Sequence, residues 1–391
     1  MKENLYLTLF LSFKIAMAVL SEMVSKKFKC WSFLTILTVV LAHSYNLNIR
    51  YLQPWTTPDE PLTFTSFTEY LLANGLFRFT MPLLFVISGF LYAMKDDRPN
   101  KQQVQKRFRT LLLPYFIWSA ISIIMIYILE TYPYTKSLIG TTHIAQMNDK
   151  QMFLHQYKWY DVLARWIFAP LSYQLWFIRV LFIYNLAYRP IRWCVLHPTG
   201  KWIFFSIATF LWLSTFGAGL IEGEGLLFFS LGVWLQKNNF DLEVPARWLN
   251  PIWWGLTSIL LITTKTWLAF KGMAILGSSV YPVLAIMLKL SVFTGLIAAW
   301  YSSNGMVTFL MKQRWFTGAS NYSFFIYVAH APLVAIMIDA VFAMLHYTHY
   351  YRIFSFVLLP AMLVAGFIII GFILKLIAPK LFGIMTGERG V

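Results

Sequence analysis

Ten stretches of this chain are apolar over roughly the length needed to cross a bilayer, at about 31–47, 70–94, 110–130, 171–188, 202–220, 224–236, 250–269, 276–300, 322–345 and 353–377. No other feature restricts the fold as strongly. In hydrocarbon every backbone N–H and C=O must find a partner inside the protein, which leaves only helices and closed barrels. A barrel strand alternates polar and apolar residues over about ten positions, whereas these runs are continuously apolar. Charged residues make up only 12% of the chain, about half the share in soluble domains. The expectation is an all-α polytopic membrane helix bundle with a ten-helix core. The sixth stretch is short and is expected to lean on its neighbours for depth.

The distribution of lysine and arginine gives this core an orientation. With the Lys26, Lys27 and Lys29 cluster placed in the cytoplasm, the loops on that side hold 19 of the 32 basic residues and the opposite side holds 9. Lys14, Arg78, Arg179 and Lys289 remain within apolar stretches. That asymmetry puts both ends of the core in the cytoplasm of a multi-pass cell-membrane protein. The net charge of +16 is then balanced by anionic lipid and calls for no nucleic-acid partner. Cys30 and Cys194 lack metal-ligand spacing and read as free structural thiols.

Three regions follow. Residues 1–29 form an N-terminal segment and basic stretch, 30–380 the membrane domain, and 381–391 a cytoplasmic tail. The apolar run at 6–20 is short and broken by Lys14. It reads as an extra helix, or as an over-long start with translation beginning at Met23. Cleavage after Ala16-Met17-Ala18 would leave the lysine cluster outside, against the charge rule. The longest polar connection, 131–170, carries Trp159, Tyr160 and Trp166, as a lid or an interfacial helix would. Any chemistry must therefore be done inside or at the rim of the bundle.

One apolar run departs from what a purely structural span needs. Residues 76–93 contain Arg78, then Pro82, then the Ser88-Gly89 pair. A guanidinium in hydrocarbon faces a protein interior or a wet cavity. A proline frees a carbonyl, and a small-residue step admits another backbone or a ligand. Arg78 can bind a carboxylate, a phosphate or a developing oxyanion, or it can snorkel to the interface. His43 ends the preceding segment in LAHSYN at a similar depth and is either a general base or an interfacial histidine. Arg179 in QLWFIRVLF is a second anion contact or an interhelical partner. His330 precedes Pro332 in IYVAHAPL, a pattern expected of a broken, cavity-lining helix. Glu222 and Glu224 bracket Gly223 and either bind a sugar, pair with Arg78, or form a solvated turn. The basic run at 95–115 could meet donor phosphates with Arg107 and Arg109, although topology alone explains much of it. His143, His155, His346 and His349 lie at spacings that support no metal assignment.

The order of these segments resembles membrane acyltransferase family 3. The resemblance rests on His43 closing the first core helix, FRFTMPLLFVISGFL at 77–91, KRFRTLLLPY at 106–115, LWFIR at 175–179 and SFFIYVAHAP at 323–332. It covers about 30–380. Such proteins move an acyl group, usually acetyl, from a cytoplasmic donor to a hydroxyl on an extracytoplasmic or lipid-linked glycan. By that resemblance His43 is the catalytic residue, with Arg78 beside it. Ser88, Arg107, Arg109, Trp176, Arg179 and His330 are the tentative donor- or substrate-binding set. Acyl-CoA enters as donor substrate, with no bound cofactor and no metal. The partners implied are acyl-CoA, a glycan or lipid-linked saccharide acceptor, and membrane lipid. The family tends to keep an arginine eleven residues before the histidine. Ser32 stands there in this chain, which leaves the donor phosphates to Lys29, Arg107 or Arg109.

A transporter or flippase for a lipid-linked or anionic substrate is the competing class, with His43, Arg78 and Arg179 as binding or relay groups. The lack of an internal repeat argues against it. A polyprenyl-phosphate glycosyltransferase would need an acidic metal cluster on a loop, which the sequence does not show.

Overall fold

The computed structural model describes residues 20–48, 53–96, 100–146, 152–218 and 221–390. The apolar run at 6–20, expected as an extra helix or a mis-assigned start, lies almost wholly outside them. The chain is an all-α membrane protein. Its only described strands are the two-residue pair Gly217–Ala218 and Ile221–Glu222, which pair antiparallel.

Helix α1, Glu22–His43, is the axis of the bundle. Ser21 caps it by accepting from the Val24 N–H at 3.3 Å, and Glu22 pairs with Lys26 one turn on. Burial reaches all round it, from Lys27 and Cys30 through Phe33 and Thr35 to Val40, as expected of a helix enclosed by others. Beyond it, α2 covers Phe64–Asn74, a 3₁₀ turn covers Leu76–Phe79, and α3 covers Thr80–Ala93. After α4, Asn100–Arg107, the chain passes through a π-helical turn at Phe108–Leu112 into α5, Leu113–Leu129. Two short helices follow, α6 at Pro133–Thr142 and α7 at Trp159–Ile167.

The middle of the chain is made of shorter pieces. These are α8, Trp176–Leu186; α9, Tyr188–Leu196; α10, Gly200–Leu213; and α11, Gly223–Lys237. A long hairpin comes next, α12 at Pro251–Leu276 and α13 at Val280–Ser302. It turns at Gly277, whose φ of +55° is open to glycine and strained for a side chain. The end of the chain holds α14, Asn304–Lys312; α15, Arg314–Ser320; α16, Ser323–Ala329; α17, Leu333–Leu345; α18, Tyr351–Ile377; and α19, Pro379–Thr386. Helix α1 touches α2 and α3 and then α14 through α18, so the last third of the chain closes around the first helix.

Four helical stretches are long and apolar enough to cross a membrane: Phe64–Ala93, Lys101–Leu129, Pro251–Ser302 and Tyr351–Ile377. The bent pair Ser323–Ala329 and Leu333–Leu345, angled at 74°, makes a fifth if it counts as one span. The other expected segments are shorter or more charged than hydropathy alone implied. Helix α1 carries three lysines in its first turns, α8 is 11 residues long, and α10 and α11 are 14 and 15. Across α18, Ile369, Ile370, Phe372, Ile373 and Leu376 stand exposed, an apolar face suited to lipid.

Two glycines set how closely α3 and α11 approach. A Cβ on Gly89 would lie 2.1 Å from the Phe229 carbonyl oxygen, and one on Gly232 would lie 2.1 Å from that of Val86. The small-residue step at Ser88-Gly89 thus admits a neighbouring backbone. The 131–170 connection folds against α5, where Tyr115 Oη donates to the Ile167 carbonyl at 2.8 Å and Trp166 Nε1 donates to that of Phe116 at 2.9 Å.

Candidate functional site

The His43 end of α1 is held in place by the last long helix. Ser44 Oγ donates to the Leu41 carbonyl at 2.7 Å and to the Phe356 carbonyl at 2.8 Å. Asn46 Nδ2 donates to the Arg352 carbonyl at 3.1 Å, and the Asn46 N–H donates to Glu69 at 3.3 Å. His43 is half-buried at this fixed end and faces a cavity of about 320 Å³. Arg78 and Trp176 line the same cavity, together with Glu222, Glu224 and Lys289. These residues come from α1, the 3₁₀ turn before α3, α8, the start of α11 and α13, so five separate chain segments converge there.

His330 stands against His43, away from the cavity lining. Their rings stack with centroids 5.4 Å apart and planes 24° apart, and Tyr173 meets His43 edge-on at 4.8 Å. His330 is fully buried; its Nδ1 faces the Ile326 carbonyl at 3.2 Å, and its Nε2 has no hydrogen-bond partner among the described residues. It sits where the chain breaks between α16 and α17, as the His-x-Pro pattern predicts, and the Ala331–Pro332 bond is cis. Gln174 secures the break by donating from Nε2 to the Val328 and Ala331 carbonyls at 3.0 and 3.2 Å, while Ser172 Oγ donates to Ala331 at 2.9 Å.

Arg78 is held from one side only. One guanidinium nitrogen donates to Asn74 Oδ1, one turn back, while Nε is buried without a hydrogen-bond partner among the described residues. The Asn74 carbonyl in turn accepts from Lys265 at 2.9 Å, and Lys265 lies 4.8 Å over the Tyr70 ring. An arginine so placed has donors to spare for a negative charge developing in the cavity.

Across the cavity, Glu222 caps α11 by accepting from the Gly225 N–H at 2.6 Å. Glu224 accepts from Trp212 Nε1 at 3.3 Å, and Lys289 lies 4.9 Å over the same indole. These carboxylates line a cavity, so the solvated-turn reading of 222–224 does not hold. Lys289 carried only the signal of a charge within an apolar stretch, and Gln174 carried none. One is a lone lysine in an apolar run and the other an isolated glutamine, and only the fold aims them here.

The other candidates lie elsewhere. Arg179 donates to the Phe168 main-chain carbonyl, an interhelical contact made to backbone rather than to an acid. Arg107 lies 5.0 Å over the Tyr92 ring, and Arg109 is exposed on the π-helical turn. Ser88 is half-buried on α3 and is not among the residues lining the cavity. Nor do the described residues of 131–170 line it.

A second polar cluster lies past the far end of α3. Asp96 takes Lys237 at 2.7 Å, Arg192 at 3.1 Å and the Tyr188 hydroxyl at 2.8 Å. Burial pulls its carboxyl upward, but Lys237, Tyr188 and Arg192 together hold it below the usual carboxylate range.

Residues 32–376 match a family model described as an acyltransferase domain. The chain belongs to acyltransferase family 3. This acyltransferase is 23% identical over 326 residues to the succinoglycan biosynthesis protein ExoH of Rhizobium meliloti (strain 1021), an alignment covering 81% of each chain. No solved structure matches it. Family membership makes the chain an enzyme that transfers acyl groups.

Proposed function

We propose that this acyltransferase moves an acyl group, acetyl being the simplest, from cytoplasmic acyl-CoA onto a hydroxyl of a surface or lipid-linked glycan. The observation that carries the reading is that His43 and Arg78, far apart in sequence roles, line one polar cavity. In the proposed orientation both ends of the core face the cytoplasm, and Gln53, Pro54 and Trp55, from the connection after α1 on the other side, line the cavity, where the acceptor arrives. The similarity to a succinoglycan biosynthesis protein supports a polysaccharide acceptor.

The chemistry follows from the groups present. His43 takes the proton from an acceptor hydroxyl as its oxygen attacks the thioester carbonyl. Arg78 stabilises the oxyanion of the tetrahedral intermediate. The intermediate collapses by breaking the C–S bond, and the imidazolium returns its proton to the departing thiolate. Glu222 and Glu224 accept hydrogen bonds from other hydroxyls of the sugar, and Trp176 offers it an aromatic face.

Mass spectrometry of surface polysaccharide from cells carrying the wild-type gene, a deletion or His43→Ala tests this reading. Loss of one ester substituent in both the deletion and His43→Ala is the expected result. An unchanged ester content with less polysaccharide at the surface overturns it in favour of export.

A further inference from the structure

Two indoles, Trp176 and Trp55, line the His43 cavity, and they come from distant parts of the chain. Trp176 is the first residue of α8 and is backed by Phe85 and Phe177, with ring centroids 6.1 and 6.3 Å away. The transfer proposed above uses it. Trp55 lies in the connection between α1 and α2, on the acceptor side in the proposed orientation. No sequence motif pointed to it.

The turn that carries Trp55 is closed and tied down. The Thr56 N–H donates to the Gln53 carbonyl at 2.9 Å, and the Thr56 hydroxyl donates to the same oxygen at 2.7 Å, making a β-turn over 53–56. Pro54 at its second position fixes φ there. Tyr70 Oη shares its proton between the Pro54 carbonyl at 3.3 Å and the Thr56 carbonyl at 2.9 Å. The main chain is therefore pinned on both sides of Trp55. Tyr70 is itself 0% exposed on α2, with the Lys265 ammonium 4.8 Å over its ring.

Filling a core needs only an apolar side chain of the right volume. Trp55 does part of that, packing on the main core and on the small cluster around Tyr45, Tyr70 and Phe356. It nevertheless stays half-buried, with the cavity in front of it. The two walls of that cavity differ. Ala42, Pro54, Ala73 and Phe77 stand with Trp55, whereas α11 and α13 bring Glu222, Glu224 and Lys289. A pyranose ring has the same two-sided character, with an apolar C–H face and an edge of hydroxyls. An open-chain polyol has no such face to lay on an indole.

We infer that Trp55 is a specificity-determining residue that stacks on a sugar ring of the acceptor, so that the site selects a cyclic saccharide over an open-chain polyol. Tyr70 is the positioning residue that holds its turn. The inference rests on the proposed transfer to a glycan. Trp55 takes the face of the ring, Glu222 and Glu224 accept from its hydroxyl edge, and the reacting hydroxyl is left toward His43.

The test uses the full chain in lipid nanodiscs with acetyl-CoA as donor. Two acceptors are compared, glycerol and base-de-esterified oligosaccharides from the surface polysaccharide of the same cells. The readout is the ratio of kcat/KM for the oligosaccharide to that for glycerol. Trp55→Ala and Trp55→Leu should each lower this ratio about tenfold or more, through the oligosaccharide KM. Trp55→Phe, which keeps a flat ring, should hold it within about threefold. Tyr70→Phe keeps the ring under Lys265 and loses only the hydroxyl, and it should lower the ratio several-fold. If Trp55→Ala fails to fold, the other three variants decide alone. A ratio unchanged in Trp55→Ala, or as high in Trp55→Leu as in Trp55→Phe, overturns the stacking role while leaving a His43-dependent transfer intact. A wild type that acylates neither acceptor overturns the parent reading as well.

Discussion

The His43 imidazole lies stacked on that of His330, 5.4 Å between centroids and 24° between planes. The outer ring can reach substrate, whereas the inner ring is fully buried at a chain break held by Gln174 and Ser172. In the proposed reaction His330 is a positioning residue, fixing the plane of the His43 ring.

His43→Gln is expected to lower kcat by about 10²–10⁴-fold, the usual worth of general acid–base catalysis. His330→Phe, which keeps a flat ring, should retain most activity, whereas His330→Ala should lose about tenfold or more. A purely structural role would lower expression of both His330 variants equally and leave the pH–rate profile unmoved. Comparing kcat against pH for the two separates these outcomes.

Arg78→Ala should cost about 10²–10³-fold in kcat with little change in KM, as for loss of an oxyanion donor. Arg78→Lys should recover only part of this, because Nε and the forked geometry are gone. Steady-state kinetics with acetyl-CoA and an oligosaccharide acceptor provides the check.

Glu224 and Lys289 share the Trp212 indole from two sides. Glu224→Gln should raise the acceptor KM, and Lys289→Met should partly offset it by removing the cation left behind. A double-mutant cycle is expected to give a coupling of about 0.5–3 kcal/mol.

Gly89→Val and Gly232→Val should prevent α3 from seating on α11, because the contacted atoms are main-chain carbonyl oxygens that cannot rotate away. Overpacking of this kind costs about 1–3 kcal/mol or more. The readout is loss of monodisperse protein in detergent, with Gly255→Ala, which has space around it, as the tolerated control.

Asp96 ties the end of α3 to Lys237 and Arg192, and its folded pKa lies below the unfolded value of about 3.9. Its contribution is thus complete above that value and is lost as pH falls through the lower folded pKa. Thermal unfolding should show wild type losing stability below about pH 4, with Asp96→Asn less stable at pH 7 and flatter across that range.

Much of the site was legible one residue at a time. Arg78 stood out because a guanidinium is costly in an apolar run, and His330 because His-x-Pro breaks a helix. His43 drew attention by ending its segment and by the family resemblance. What could not be read was convergence. Nothing in the chain says that Lys289 faces the same space as Glu224, or that Lys27, one of three lysines within four positions, is the one turned inward. Arg179 looked like an anion contact because its main-chain partner, the Phe168 carbonyl, comes from the preceding connection. The helical class was plain from hydropathy. Helix lengths were not, since apolarity continues through the 3₁₀ turn at Leu76–Phe79 and the break between Ala329 and Leu333 while the backbone turns.

Helix α1 precedes every other described helix, yet most of its partners come from the last third of the chain. Trp31 bonds Ser303 across 272 positions, and Ser44 bonds Phe356 across 312. During synthesis His43 therefore waits, without its stacking ring or its clamp, until α16 and α18 have been made. Closure of so long a loop is slow. A chain cut short before α16 carries His43 and Arg78 but neither the ring that stacks on His43 nor the carbonyl that anchors Ser44.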